Sequence, residues 1–217
     1  MRSDRNIKRK IREIERGLKW PVYRTTHNEA LDIISDPRAR THTIRFPAQT
    51  GNAGPFRETE ILHELAHAYL AERRPVLCVH DYIVHDGSGL TVEEVRPLFS
   101  GPVRATADWF ADDLLMQWIP REESAEIWEH VEYFRRFLAS QAAPDREYFN
   151  SFALCFAQAV YYLGATYVPP AYRGAVDCFL SINPRRPSEQ AFSGLLNSLL
   201  SGISAQWNAE EAVWIIK

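Results

Sequence analysis

Residues 63 to 67 read His63-Glu64-Leu65-Ala66-His67, inside the apolar run Ile61-Leu62-His63-Glu64-Leu65-Ala66-His67-Ala68-Tyr69-Leu70. On a helix, two histidines four residues apart stand one turn above each other, so both imidazoles can reach one metal ion. The glutamate beside the first histidine projects near the open side of such a metal, where it can take a proton from a bound water. The plainer alternative is an amphipathic helix whose histidines are satisfied polar groups. Against it, Pro55 and Pro75 bracket the segment as helix breakers should. The rest of the helix is apolar enough to be buried, where two histidines and a glutamate are costly without partners.

Two histidines hold zinc weakly, and a catalytic site normally has three protein ligands and a water. The third ligand should be His, Asp or Glu from another packed helix. The best region is Ala107-Asp108-Trp109-Phe110-Ala111-Asp112-Asp113-Leu114-Leu115-Met116, where Asp108 and Asp112 stand one turn apart beside a buried stripe. Asp108 is the favoured ligand, with Asp112 orienting a histidine ring. Asp112 itself, Glu93, Glu94, His80 and His85 are the other candidates for the third position, and two solvated aspartates the alternative without function. On an alternating strand His80 and His85 face opposite sides, so both reach one metal only through a bulge. One of them, or Tyr82, is a candidate donor to a developing oxyanion.

The metal motif together with the run at 107–116 resembles the zincin metallopeptidases, particularly the compact ImmA/IrrE type, over about residues 25–120. The resemblance implies an N-terminal helix and a small sheet before the metal helix, a second helix bringing a glutamate ligand, and often a repressor protein as substrate. This chain departs from the pattern at one point. The family's ligand glutamate lies three residues before the alanine matching Ala107, where Arg104 stands here. Related zincins use a Glu-x-x-x-Asp helix whose glutamate binds metal and whose aspartate supports a histidine, and Asp108 to Asp112 fits that spacing with a shorter first carboxylate.

The elements that must position these residues read as follows. Ile7, Ile11, Ile14 and Leu18 form one apolar stripe on a charged helix at 4–18, stopped near Gly17 and Pro21. Two extended runs at 31–35 and 41–46, joined by Asp36-Pro37-Arg38-Ala39, predict an antiparallel hairpin. The strand at 41–46 is expected to be the edge to which an extended substrate adds. A loop follows at 47–55, the metal helix after it, and a short strand within 76–84. Helices are expected at 103–118, 122–139, 145–163, 171–181 and 188–203. The fold class is therefore α+β: a small antiparallel sheet and metal helix forming a minimal zincin core at 1–120, then a helical bundle packed on it at 121–217.

The chain has 217 residues, 46% apolar and 24% charged, with a net charge of −3. That is ordinary for a globular protein and gives no global attraction to nucleic acid. Residues 1–19 are the exception, with eight basic side chains against three acidic. A solvated helix face is the simpler account of them, and polyanion contact the alternative. No stretch approaches the roughly 20 apolar residues of a membrane span, and the N-terminus lacks the apolar core of a secretory signal. Cys78, Cys155 and Cys178 are scattered and odd in number, which argues against a disulfide scaffold or cysteine zinc site and fits the cytoplasm.

These readings predict a zinc metallopeptidase acting on a protein or peptide, with His63, His67 and Asp108 as ligands, Glu64 as general base and Asp112 behind a histidine. A zincin-like binding or regulatory module that no longer hydrolyses anything is the alternative, supported by Arg104. Nucleic-acid binding through residues 1–19 is a weaker third, with no recognisable motif behind it.

Overall fold

A computed structural model describes residues 2–27, 31–48, 57–140 and 146–217. The apolar stripe of the first segment does form a helix, α1 (Arg2–Gly17), and Ile7, Ile11 and Ile14 are all buried. The chain then enters a three-stranded sheet of β1 (Val22–His27), β2 (Asp32–Asp36) and β3 (Thr41–Pro47). The order is β1-β3-β2, with β1 parallel and β2 antiparallel to β3. The hairpin forms as its turn chemistry predicts. The sheet as a whole is mixed rather than antiparallel, because β1 joins it. That strand is mostly exposed and polar, so it offers no alternating apolar face to read. Strand β3 is the central strand, hence not the edge expected of it; β1 and β2 are the two edges.

Helix α2 (Glu58–Ala71) carries the His63–His67 segment. The loop expected at 47–55 lies for the most part outside the described residues. A 3₁₀ turn at Pro75–Leu77 leads to the short strand β4 (Tyr82–Val84). Next comes α3 (Val92–Trp118), which begins eleven residues before the helix expected from the sequence. The helix runs through Pro97, Gly101 and Pro102, residue types that ordinarily weaken or break a helix. Its start is set by a capping box: Thr91 Oγ1 accepts from the Glu94 N–H at 3.3 Å, and the Glu94 carboxylate accepts from the Thr91 N–H at 2.9 Å. Burial of Val95, Phe99 and Val103 on this first part supplies the apolar free energy that offsets the lost backbone bonds.

The remaining helices are α4 (Pro120–Ser140), α5 (Arg146–Leu163), α6 (Arg173–Leu180) and α7 (Glu189–Leu199). The last residues, which the helix-period reading passes over, form a hairpin of β5 (Ala205–Asn208) and β6 (Val213–Ile216). Strand β6 pairs parallel with β4, making a second three-stranded sheet in the order β4-β6-β5. The fold is thus α+β, with seven α-helices and two small mixed sheets among the described residues.

Two apolar clusters flank α2. One joins Ile7, Ile11 and Ile14 of α1 to Ile44, Leu62, Leu65, Leu115 and Ile119. The larger one runs from Ala66 to Ile216 and draws on residues before and after position 120, including Trp109, Phe156, Phe192 and Trp214. Residues 121–217 therefore share a core with the α2 region and contribute strands as well as helices. With Leu62 and Leu65 in one cluster and Ala66 and Leu70 in the other, α2 is gripped on two sides. Its remaining strip, Glu60, His63, Glu64 and His67, follows helical spacing and faces open space.

Candidate metal centre

The strip on α2 meets α3 where Ala107 and Ala111 are fully buried, and such small residues let two helices approach closely. Asp108 and Asp112, one turn apart on α3, then point at the two histidines. Nε2 of His63 lies 3.0 Å from Nε2 of His67. Asp108 Oδ1 lies 3.2 Å from His67 Nε2 and 3.6 Å from His63 Nε2. Neighbouring ligand atoms of a tetrahedral zinc, at 2.0–2.1 Å from the ion, are about 3.3 Å apart. The three atoms make a triangle of that size. Among the described residues, His63, His67 and Asp108 are the group that could hold a metal ion.

Asp112 sits behind the triangle. Its Oδ1 is 2.8 Å from Nδ1 of His63, and its Oδ2 accepts from the Gln158 side-chain amide on α5. A neutral imidazole that donates through Nδ1 must present a lone pair at Nε2. With Asp112 accepting from Nδ1, a neutral His63 would offer Nε2 to a metal. The donor set fits zinc chemically, with two imidazole nitrogens, one carboxylate oxygen and a buried carboxylate orienting a ring.

The charges are strongly coupled. Burial works against a charged His63, but the Asp112 and Asp108 carboxylates outweigh it and raise the imidazole pKa well above its ordinary value. Burial alone would push Asp108 up; the hydrogen bonds and charges of His63 and His67 instead hold it far below the usual carboxylate range. Asp108 and Asp112 thus set two carboxylates against the paired imidazoles. Glu64 has its pKa raised by burial, with His63 and His67 acting in the opposite direction. A carboxyl shifted upward is a better proton acceptor at neutral pH than an exposed one.

Two cavities open on this group. The larger, about 1280 Å³, lies between β2 and the β4 segment. The smaller, about 590 Å³, is walled by α4 and α5. Leu31, His63, Glu64 and Asp108 line both.

The other candidates lie elsewhere. Glu94 is committed to the α3 capping box, and Glu93 beside it is exposed; fourteen residues of helix put Glu94 about 21 Å along the axis from Asp108. His85 is exposed, and its Nδ1 accepts from the Gly87 N–H at 3.0 Å. His80 lines the larger cavity outside the ligand triangle. Tyr82 lines the same cavity, but its hydroxyl donates to the Val92 carbonyl at 3.4 Å. Arg104, one turn before Asp108, is exposed in that cavity. Cys78 donates its thiol to the His67 carbonyl at 3.0 Å. Cys155 is a core residue whose thiol burial pushes up to about 12. Part of the basic charge of α1 is spent internally, Lys8 on Glu58 at 3.3 Å and Lys10 on Glu13 at 2.8 Å.

Sequence reasoning missed Gln158, Asp113 and Glu123. Gln158 is a buried polar residue in an otherwise apolar helix, which signals an internal partner. Asp113, fully buried, accepts from Tyr162 at 3.0 Å and Gln117 at 2.7 Å and ties α3 to α5. Glu123 begins α4 among charged neighbours, so nothing distinguishes it from a solvated residue until the helix is packed. No protein-family model, curated protein or solved structure matches this chain. No described helix is long and apolar enough to cross a membrane.

Proposed function

We propose that the protein is a zinc-dependent peptidase with a zincin-like core and a packed C-terminal helical part, hydrolysing peptide bonds of a polypeptide substrate. One observation carries this reading: the convergence of His63 Nε2, His67 Nε2 and Asp108 Oδ1 within 3.6 Å of each other, with Glu64 lining the same cavities. A zinc ion held by these three residues would supply Lewis acidity, lowering the pKa of a bound water and polarising a carbonyl. Glu64 accepts a proton from the attacking water and returns it to the departing amine. Asp112 keeps His63 in the tautomer that can coordinate.

The larger cavity suits an extended chain. Strand β2 is one of the two edge strands of its sheet and forms one wall, so its outer backbone groups can hydrogen-bond a substrate strand. Leu31, just before β2, leads that strand toward Glu64 and Asp108. Three free cysteines suit a reducing compartment, and we place the protein in the cytoplasm on that ground.

Arg104 in place of a ligand glutamate favours an inactive binding module. Asp108, one turn further on, offers the oxygen in its stead. Zinc-loaded protein and its Glu64→Gln variant, each incubated with a cell extract and read by mass spectrometry of new N-termini, test the reading. Cleavages present with the wild type and absent with Glu64→Gln support it. Equal cleavage by both removes Glu64 as the base, and no cleavage by either favours the binding module.

A further inference from the structure

We propose that the smaller cavity is a specificity pocket for a cationic side chain, lysine or arginine, adjoining the bond to be cleaved. The proposal rests on the peptidase reading and names the substrate class for it.

Position is the first argument. The cavity shares Leu31, His63, Glu64 and Asp108 with the cleft proposed for the substrate main chain. A residue whose carbonyl lies near Glu64 can therefore drop its side chain between α4 and α5. The volume, about 590 Å³, is within the range of pockets that enclose a ligand group.

Chemistry is the second. Ile127, Phe134 and Leu154 provide apolar wall, suited to an aliphatic stem. Glu123 and Glu126, three apart on α4, provide carboxyl groups for its head. None of the described residues lining the cavity is Lys or Arg.

The third argument is Glu123 itself. It is only 5% exposed, and among the described residues no donor hydrogen-bonds its carboxylate. The charged groups acting on it are Asp112 and Glu126, which repel a negative charge, and His63, which opposes them. A buried carboxyl group so placed is costly unless a cation or a donor completes it. An entering ammonium or guanidinium group does both, with charge-assisted hydrogen bonds.

The test uses zinc-loaded protein and peptides differing at single positions around a cleaved bond. At one flanking position, lysine or arginine should give kcat/KM at least tenfold above norleucine. Glu123→Gln should bring the lysine-to-norleucine ratio close to one. Glu126→Gln, at a half-buried position that tolerates change, should lower the ratio several-fold and guards against misfolding of the first variant. A ratio near one for the wild type at every position, or one unchanged in both variants, overturns the pocket while leaving the peptidase reading intact. If the wild type cleaves no peptide, that reading fails and binding decides the pocket separately. Nα-acetyl-lysine methylamide should then bind the wild type at least tenfold more tightly than its norleucine counterpart, as followed by ligand-observed NMR, and lose the difference in Glu123→Gln. Equal binding of the two probes, or binding of neither, overturns the proposal.

Discussion

Asp112 lies 2.8 Å from Nδ1 of His63, on the far side of the ring from His67 and Asp108. Its carboxylate thus decides which nitrogen of His63 keeps a lone pair, although it is not one of the three converging groups. Removing such a partner typically weakens metal binding 10- to 100-fold. Asp112→Ala should show a loss in that range in a competition titration with a zinc chelator. Gln158→Leu, which removes only the amide behind Asp112, should show a smaller one.

Metal removal should act on stability as well. A ligand at about one hundred times its Kd stabilises the folded state by about 2.7 kcal/mol. For a chain of this size that corresponds to roughly 5–10 °C in Tm. Calorimetry with and without zinc should show a rise of this order in the wild type and none in His67→Ala.

Glu64→Gln separates metal binding from proton transfer. The variant should bind zinc as the wild type does, while turnover of a cleaved peptide falls about 10²- to 10⁴-fold. Loss of zinc together with activity would show that Glu64 supports the fold of the site instead.

Glu123 makes stability depend on pH. Burial is the main cause of its pKa being raised to about 9, with Asp112 adding to the shift and His63 opposing it. A carboxyl with a raised folded-state pKa binds its proton more tightly in the folded than in the unfolded chain. Its contribution is fully present below the ordinary value near 4.5 and is lost as pH rises toward 9. In metal-free protein, Glu123→Gln should therefore match the wild type near pH 4.5 and exceed it in Tm by pH 8. A gap that is constant with pH would contradict this account.

A second buried network fastens α2 to the sheet. The Glu72 carboxylate just after α2 accepts from the backbone N–H groups of Lys19 and Trp20 at 2.6 and 2.7 Å, and lies 3.3 Å from Nε2 of His42. His42 is fully buried, with Ser35 Oγ 2.8 Å from its Nδ1 and Trp20 stacked on its ring. Burial lowers the His42 pKa, against the pull of Glu72. Glu72→Ala removes the acceptor of the Lys19 and Trp20 N–H groups and the partner of buried His42, and should cost about 1–3 kcal/mol in denaturant unfolding.

Much of the site was legible because helical periodicity is local. The spacing of His63 and His67, and of Asp108 and Asp112, fixes which side chains share a face before any tertiary contact is known. The stripe of Ile7, Ile11 and Ile14 was readable on the same ground. Signals that depend on the rest of the fold were not. Strand β1 is exposed and polar, and β6 is four residues long, so pairing with β3 and β4 defines them more than their own pattern does. The first part of α3 was hidden by Pro97 and Pro102, whose local cost is offset by the burial of Val95, Phe99 and Val103. Glu123 acquired its character only from packing beside Asp112.

Equilibrium dialysis of chelator-stripped protein against buffered zinc tests the centre of this account most directly. The account predicts one zinc per chain for the wild type and none above the blank for His63→Ala and Asp108→Ala. Wild-type protein that retains no zinc, or that retains it undiminished after both substitutions, would contradict it.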